Sequence, residues 1–149
     1  MGNKEILKAI GVALAAHDGQ VDKGGTAYAL HPLRVMFALA DMNPDVPAEA
    51  KIAAVLHDVV EDTYVTVADI EQQFGATVAG LVKLLTKVPF EPNDDYYNRL
   101  KTNKLAAWIK LADLRDNLDE SRLNGLTEKD RQRIARYQAR EIELAEILK

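Results

Sequence analysis

In the stretch AAVLHDVVEDT, His57, Asp58, Glu61 and Asp62 put four metal- and proton-active side chains within six positions, directly after an apolar run. On a continuous helix His57 lies over Glu61 and Asp58 over Asp62, in two rows about 100° apart around the axis. One row could hold a metal while the next turn positions or deprotonates a metal-bound water. Three carboxylates packed this tightly repel one another, and a cation is the simplest way to offset that repulsion. The competing reading is a solvated acidic face capped by a histidine.

A second cluster lies in WIKLADLRDNLDE, where Asp113 sits inside an apolar stretch and Asp116 and Asn117 share its helical face. An isolated carboxylate in such a run is costly to bury without a partner. A cation held jointly with the first cluster would supply one, and so would a salt bridge to Lys110 or Arg115. The only histidines are His17, His31 and His57, and cysteine is absent, so any metal must be held by imidazole and carboxylate. His31 stands at a loop-to-helix boundary ahead of Pro32, a place where side chains often point into a cleft.

These residues must be positioned by a chain of 149 residues, the size of one domain with a real core. Hydrophobic residues at 48% and charged residues at 28% are those of a globular protein rather than a disordered one. No apolar run approaches the roughly 18 residues needed to span a membrane. The N-terminus faintly resembles a signal peptide, but Lys8 interrupts it and Ile6, Ile10 and Leu14 recur at helical spacing, so it reads as a core helix. Met-Gly-Asn resembles a myristoylation site, but Ile6 stands where Ser or Thr is required. A cytoplasmic protein without a membrane partner is expected. The net charge is −4, with lysines and arginines scattered rather than in a basic stripe, which argues against a nucleic acid polymer as partner. Small anionic substrates remain open, because a bound cation reverses the local field.

The pattern predicts an all-α fold of about seven helices without a sheet, internal repeat or dividing linker. The first helix covers 4–17 with Asn3 as N-cap, followed by a Gly-rich loop from Asp18 to Leu30. Pro32 opens a helix to Met42, and Pro47 fits the start of one from 48 to about 60. Thr66 with Asp69, and Thr127 with Asp130, have capping-box spacing. Gly75 suits a C-terminal stop ahead of a helix over 77–86. After an irregular stretch, 88–94, helical pattern resumes at Asp95 and continues, with a bend near Asn103, to about Glu120.

Taken together, His17-x-x-Gln20, Lys23, Tyr28-x-x-His31-Pro32, Leu56-His57-Asp58-Val59-Val60-Glu61-Asp62-Thr63, Lys110-Leu111-Ala112-Asp113 and Asn117 closely resemble the HD-domain superfamily. The best match within it is the hydrolase domain of the RelA/SpoT enzymes and their small single-domain relatives. Phe74-Gly75, Leu85-Thr86-Lys87 and Asp116-Asn117 extend the likeness, which runs from about residue 10 to 125. The resemblance implies that His31, His57, Asp58 and Asp113 hold one divalent cation, usually Mn²⁺. It implies that Glu61 and Asp62 orient and activate the attacking water. It further implies that Lys23 lies near the nucleotide phosphates, that Tyr28 lines the same pocket, and that Asn117 contacts the nucleotide. The implied reaction removes the 3′-pyrophosphate of guanosine tetra- and pentaphosphate, (p)ppGpp. His17 is expected to order the loop by hydrogen bonding rather than to bind metal.

The chain departs from the alarmone hydrolases at Asp22-Lys23-Gly24, where they commonly carry Arg-Lys-Ser. Asp22 removes a guanidinium and puts a negative charge near an anionic ligand; Arg99, after the 88–94 loop, could restore some positive charge. Three readings follow: a (p)ppGpp pyrophosphohydrolase, an HD phosphohydrolase acting on another nucleotide or phosphorylated cofactor, and a nucleotide-binding module without turnover. The oligomeric state is not readable from the sequence.

Overall fold

α3, Ala48–Leu56, is apolar from Ile52 onward, with Ala50 and Ile52 to Leu56 all buried. A helix of that kind has to lie inside the protein, and α3 contacts four other helices: α1 (Asn3–Ala16), α2 (Leu30–Met42), α6 (Ala76–Leu85) and α8 (Lys104–Asn117). α5 (Val67–Phe74) packs on α6 and completes this first core with Ile70 and Phe74. A second core joins α7 (Asn93–Leu100), α8 and α9 (Glu128–Ile147) through Tyr96, Tyr97, Leu100, Leu111, Leu114 and Leu144. α8 belongs to both cores, with Ile109 and Ala112 facing the first and Leu111 and Leu114 facing the second. This computed structural model describes residues 1–119 and 125–149.

The architecture is an all-α bundle. Among the described residues it has eight helices of two turns or more plus a single turn, α4 (Val59–Asp62). The eighth arises because the expected bent helix from Asp95 is two helices. α7 ends at Leu100, and the Asn103 side chain accepts from the amides of Leu105 (2.9 Å) and Ala106 (3.3 Å), starting α8 as its N-cap. α8 ends at Asn117; the expected end at Glu120 lies outside the described residues. The helix expected to run to residue 60 likewise stops at Leu56. The His57 ring N–H donates to the Ala54 carbonyl (2.6 Å), the acceptor that a continued helix would give to the Asp58 amide. α4 restarts one turn later, with the Asp62 amide on the Asp58 carbonyl at 3.1 Å.

Local signals held elsewhere. Thr66–Asp69 and Thr127–Asp130 both form reciprocal capping boxes. Gly75 has φ +93°, a conformation that favours glycine. At the N-terminus Gly2, not Asn3, is the N-cap, and Asn3 is the first helical residue. The only pairing of extended backbone among the described residues is an isolated bridge, Val21 to Ala27, which pinches the Gly-rich loop.

The two-helix reading of 93–117 is directly testable. Within one bent helix Asn103→Ala would be neutral or stabilising, because alanine is the better helix former. As an N-cap replacement it should cost about 1 kcal/mol of unfolding free energy in a denaturant titration.

Candidate metal and phosphate site

The end of α3, the start of α2 and the middle of α8 bring His57, His31 and Asp113 together. One ligand atom from each lies within 4.8 Å of the others, and all three residues are buried. Asp113 Oδ1 is 2.9 Å from His31 Nε2 and 3.3 Å from His57 Nε2. Asp58 faces the same point: its Oδ2 is 3.1 Å from His57 Nε2 and 3.6 Å from His31 Nε2.

The outward nitrogens of both rings are already committed. His57 Nδ1–H is held by the Ala54 carbonyl, and His31 Nδ1–H donates to Asp116 Oδ2 at 2.6 Å. Asp116 is itself fixed by Arg34 Nε (2.8 Å). Both Nε2 atoms therefore point their donor positions at the carboxylates, a preorganised arrangement for a divalent cation. The donor set of two imidazoles and two carboxylates fits such an ion, which would offset the close approach of the buried Asp113 and the half-buried Asp58.

Sequence reasoning missed Asp116 and Arg34 as supports. It also left open whether Asp113 takes a cation or a salt bridge, and the carboxylate does have a charged partner on its other oxygen. Lys110 Nζ donates to Oδ2 at 2.9 Å, while Asn117 Nδ2 donates to Oδ1 at 3.1 Å. Arg115 plays no part and pairs with Glu141.

Charges in the cluster lean on one another. Burial opposes charging His57, but Asp58 and Asp113 outweigh it and raise its pKa well above 6.5. Burial likewise opposes charging His31, whose hydrogen bonds to Asp113 and Asp116 raise it. For Asp113 burial acts upward, yet Lys110 and His57 hold it well below the usual carboxylate range. The raised histidines and lowered aspartates are one interaction seen from both sides. Glu61 and Asp62 behave oppositely: burial first, then the Asp58 charge, push both above their ordinary values, with the Lys87 amide partly offsetting the rise at Glu61. Burial and Asp58 also raise the Tyr28 phenol, which stays protonated and donates to Asp58.

Two cavities flank the cluster. The larger, about 740 Å³, has Asp58, Glu61, Asp62 and Asp113 on one wall and Lys87, Lys110, Arg136 and Arg140 among its cations. The smaller, about 260 Å³, is lined by Asp22, Lys23, Gly24, Arg34 and Arg133. Tyr28, Asn117 and Tyr137 line both. Tyr28 and Asn117 thus lie at the cluster, while Lys23 belongs to the smaller cavity, 3.8 Å from Asp130.

Asp22 is turned into its own loop, where Oδ1 accepts from the amides of Gly24 and Thr26, both at 2.9 Å. His17 orders the loop as expected: its Nδ1 meets Gln20 Oε1 at 2.9 Å, and Gln20 Nε2 donates to the Asp62 carbonyl at 3.0 Å. The idea that Arg99 restores positive charge to the pocket is corrected, since Arg99 lines neither cavity and is taken up by Glu91 and the carbonyls of Lys83, Leu84 and Thr86. The arginines that line the two cavities from α9 are Arg133, Arg136 and Arg140 instead. Their signal was the spacing Arg133, Arg136, Arg140 on one helical face, which no motif flagged.

Comparison with known proteins adds three findings. The HD-domain family profile matches residues 9–104. The bifunctional (p)ppGpp synthase/hydrolase SpoT of Escherichia coli K12 is 45% identical over 85 residues, 57% of this chain and 12% of that protein. The guanosine-3′,5′-bis(diphosphate) 3′-pyrophosphohydrolase of Spiroplasma citri is 34% identical over an alignment covering 93% of this chain and 19% of its own length. The chain thus spans less than a fifth of these curated relatives. A solved structure of a metazoan ortholog of SpoT, described as hydrolysing ppGpp, superposes with a TM-score of 0.82 at 27% identity, covering 97% of this chain and 86% of that one.

Two outcomes follow from this geometry. Asp116→Ala frees the His31 ring and should weaken divalent-metal affinity about 10- to 100-fold by calorimetry. In chelator-treated protein, the raised histidines contribute stability that is full below their ordinary 6.5 and lost as pH rises through their folded values. The lowered Asp58 and Asp113 contribute stability that is present above 3.8 and lost only as pH falls below it. Denaturant unfolding of the metal-free protein should therefore show stability declining above pH 6.5, and a rise there would contradict this charge pattern.

Proposed function

Since the chain belongs to the HD-domain family, we propose that it hydrolyses a nucleotide (pyro)phosphate, with removal of the 3′-pyrophosphate from (p)ppGpp as the first reaction to test. The observation that carries this reading is the convergence of His31, His57, Asp113 and Asp58 beside a cavity that pairs acids with cations. These four residues would hold one divalent cation, with Mn²⁺ the first choice. Such an ion supplies a Lewis acid that makes water a usable nucleophile near neutral pH and draws charge from phosphoryl oxygens.

The chain's own residues supply the rest. Glu61 accepts the proton from the attacking water and Asp62 helps to orient that water, and their raised pKa values make them stronger bases than ordinary surface carboxylates. Lys87, Lys110, Arg136 and Arg140 offset the charge of a bound phosphate chain. Tyr28 and Asn117, at the seam of the two cavities, orient the nucleotide, and Lys23 meets a phosphate in the smaller one. The likeness to (p)ppGpp hydrolases supports the choice of substrate.

A second reading keeps the chemistry and changes the nucleotide or takes a phosphorylated cofactor. Asp22, an anion on the wall of the smaller cavity, favours it. A non-catalytic binding module would show tight nucleotide binding without product.

The test is pyrophosphate release from ppGpp with Mn²⁺, run beside a panel of other nucleotides. Glu61→Gln should lower kcat roughly 100-fold or more, and Asp58→Ala should abolish metal-dependent turnover. Wild-type rates in both variants would contradict the assignment.

A further inference from the structure

Arg99, on α7, makes no contact with the site, yet its guanidinium is spread over the end of α6. Nη1 donates to the carbonyls of Lys83 and Leu84, each at 3.2 Å, and Nη2 donates to the Thr86 carbonyl at 3.0 Å. Glu91 fixes the guanidinium from the other side, at 3.1 Å to Nε and 2.9 Å to Nη2. Tyr96 takes the remaining carbonyl, Leu85, at 2.7 Å. The last carbonyls of a helix have no partners within it, and α7 supplies them here.

One of these bonds reaches further. The peptide group whose carbonyl is held by Arg99 is the one between Thr86 and Lys87. Its amide, Lys87 N–H, donates to Glu61 Oε1 at 2.5 Å. A peptide group is planar and rigid, so fixing the carbonyl fixes the direction of the amide on its opposite side. Each of its two ends also polarises the other. Glu61 comes from the single-turn α4, after the helix break at His57–Asp58, and its described hydrogen bond is this one.

We propose that Arg99 is a positioning residue for Glu61, acting through the Thr86–Lys87 peptide so that one carboxylate oxygen is pinned and the other is left to face the larger cavity. The inference rests on the reading of Glu61 as the proton acceptor. It assigns the α6–α7 corner to the reaction, in which Lys87, Asn93, Tyr96 and Tyr97 line the larger cavity and Arg99 does not. A salt bridge from Arg99 to Glu61 itself would not serve, because a charge in direct contact would weaken the base.

The experiment compares Arg99→Gln, Lys87→Pro and Lys87→Ala with wild type and Glu61→Gln. Thr86 has φ −93° and ψ +123°, an extended conformation that suits the residue before a proline, and Lys87→Pro removes the amide. Lys87→Ala removes the ammonium and keeps the amide. The first readout is the Lys87 amide proton by NMR, which needs no substrate. A short bond to a carboxylate holds it downfield in wild type, and it should move upfield in Glu61→Gln and in Arg99→Gln.

The second readout is hydrolysis. Lys87→Pro and Arg99→Gln should lose about 10-fold or more in kcat, part of what a general base contributes, whereas the loss in Lys87→Ala should fall on KM. Burial, Asp58 and Asp62 raise the Glu61 pKa against Lys110, and without its amide partner it rises further, so the acidic limb of the kcat profile moves to higher pH. An unmoved Lys87 amide in folded Arg99→Gln, or equal kcat in Lys87→Pro and Lys87→Ala, overturns the proposal. If no nucleotide is turned over by wild type, the reading of Glu61 fails by itself, and the amide shift still decides whether Arg99 controls the Glu61 contact. Should Arg99→Gln not fold, Arg99→Lys, which keeps the charge and loses the fork across these carbonyls, takes its place in both readouts.

Discussion

Everything in this fold is arranged around two aspartates and two histidines that share one point at the centre of a helical bundle. Charges taken out of water are expensive unless each has a partner. Here the compensation is distributed: Lys110 on the outer oxygen of Asp113, Arg34 and Asp116 behind His31, the Ala54 carbonyl behind His57, and Tyr28 on Asp58. What remains directed inward is a set of nitrogen and oxygen atoms with the character of a cation's coordination shell. The helix break at His57–Asp58 serves the same end, because it turns both side chains toward that point instead of leaving them about 100° apart on a helix face.

The second organising feature is charge across the larger cavity. Carboxylates from α4 and α8 line it together with Lys87, with Lys110 of α8 and with Arg136 and Arg140 of α9. A phosphate chain in this cavity would meet both cations and proton acceptors. The chain is acidic overall, yet Lys87, Lys110, Arg136 and Arg140 line the larger cavity. Among the described residues no helix is long and apolar enough to cross a membrane.

What could be read in the sequence was local. Thr66–Asp69 and Thr127–Asp130 start helices through bonds three residues long, so their spacing is sufficient. The expected convergence of His31, His57 and Asp113 came from likeness to a family, since spacing alone left a solvated acidic face equally open. The end of α3 was hidden because neither His57 nor Asp58 is a helix breaker by type. It follows from a ring bonding back to Ala54, which no propensity records. Asn103 was read as a bend although Asn is a good N-cap, because the apolar pattern continues through it. Arg34, Asp116 and Arg99 were unreadable for another reason: their partners lie 82, 85 and 8 to 16 residues away, and only packing brings them together.

The central claim is most directly tested by anomalous diffraction at the manganese edge from a Mn²⁺-loaded crystal. The account predicts a single strong peak within coordination distance of His31 Nε2, His57 Nε2, Asp113 and Asp58. A peak elsewhere, or none at saturating metal, would contradict it.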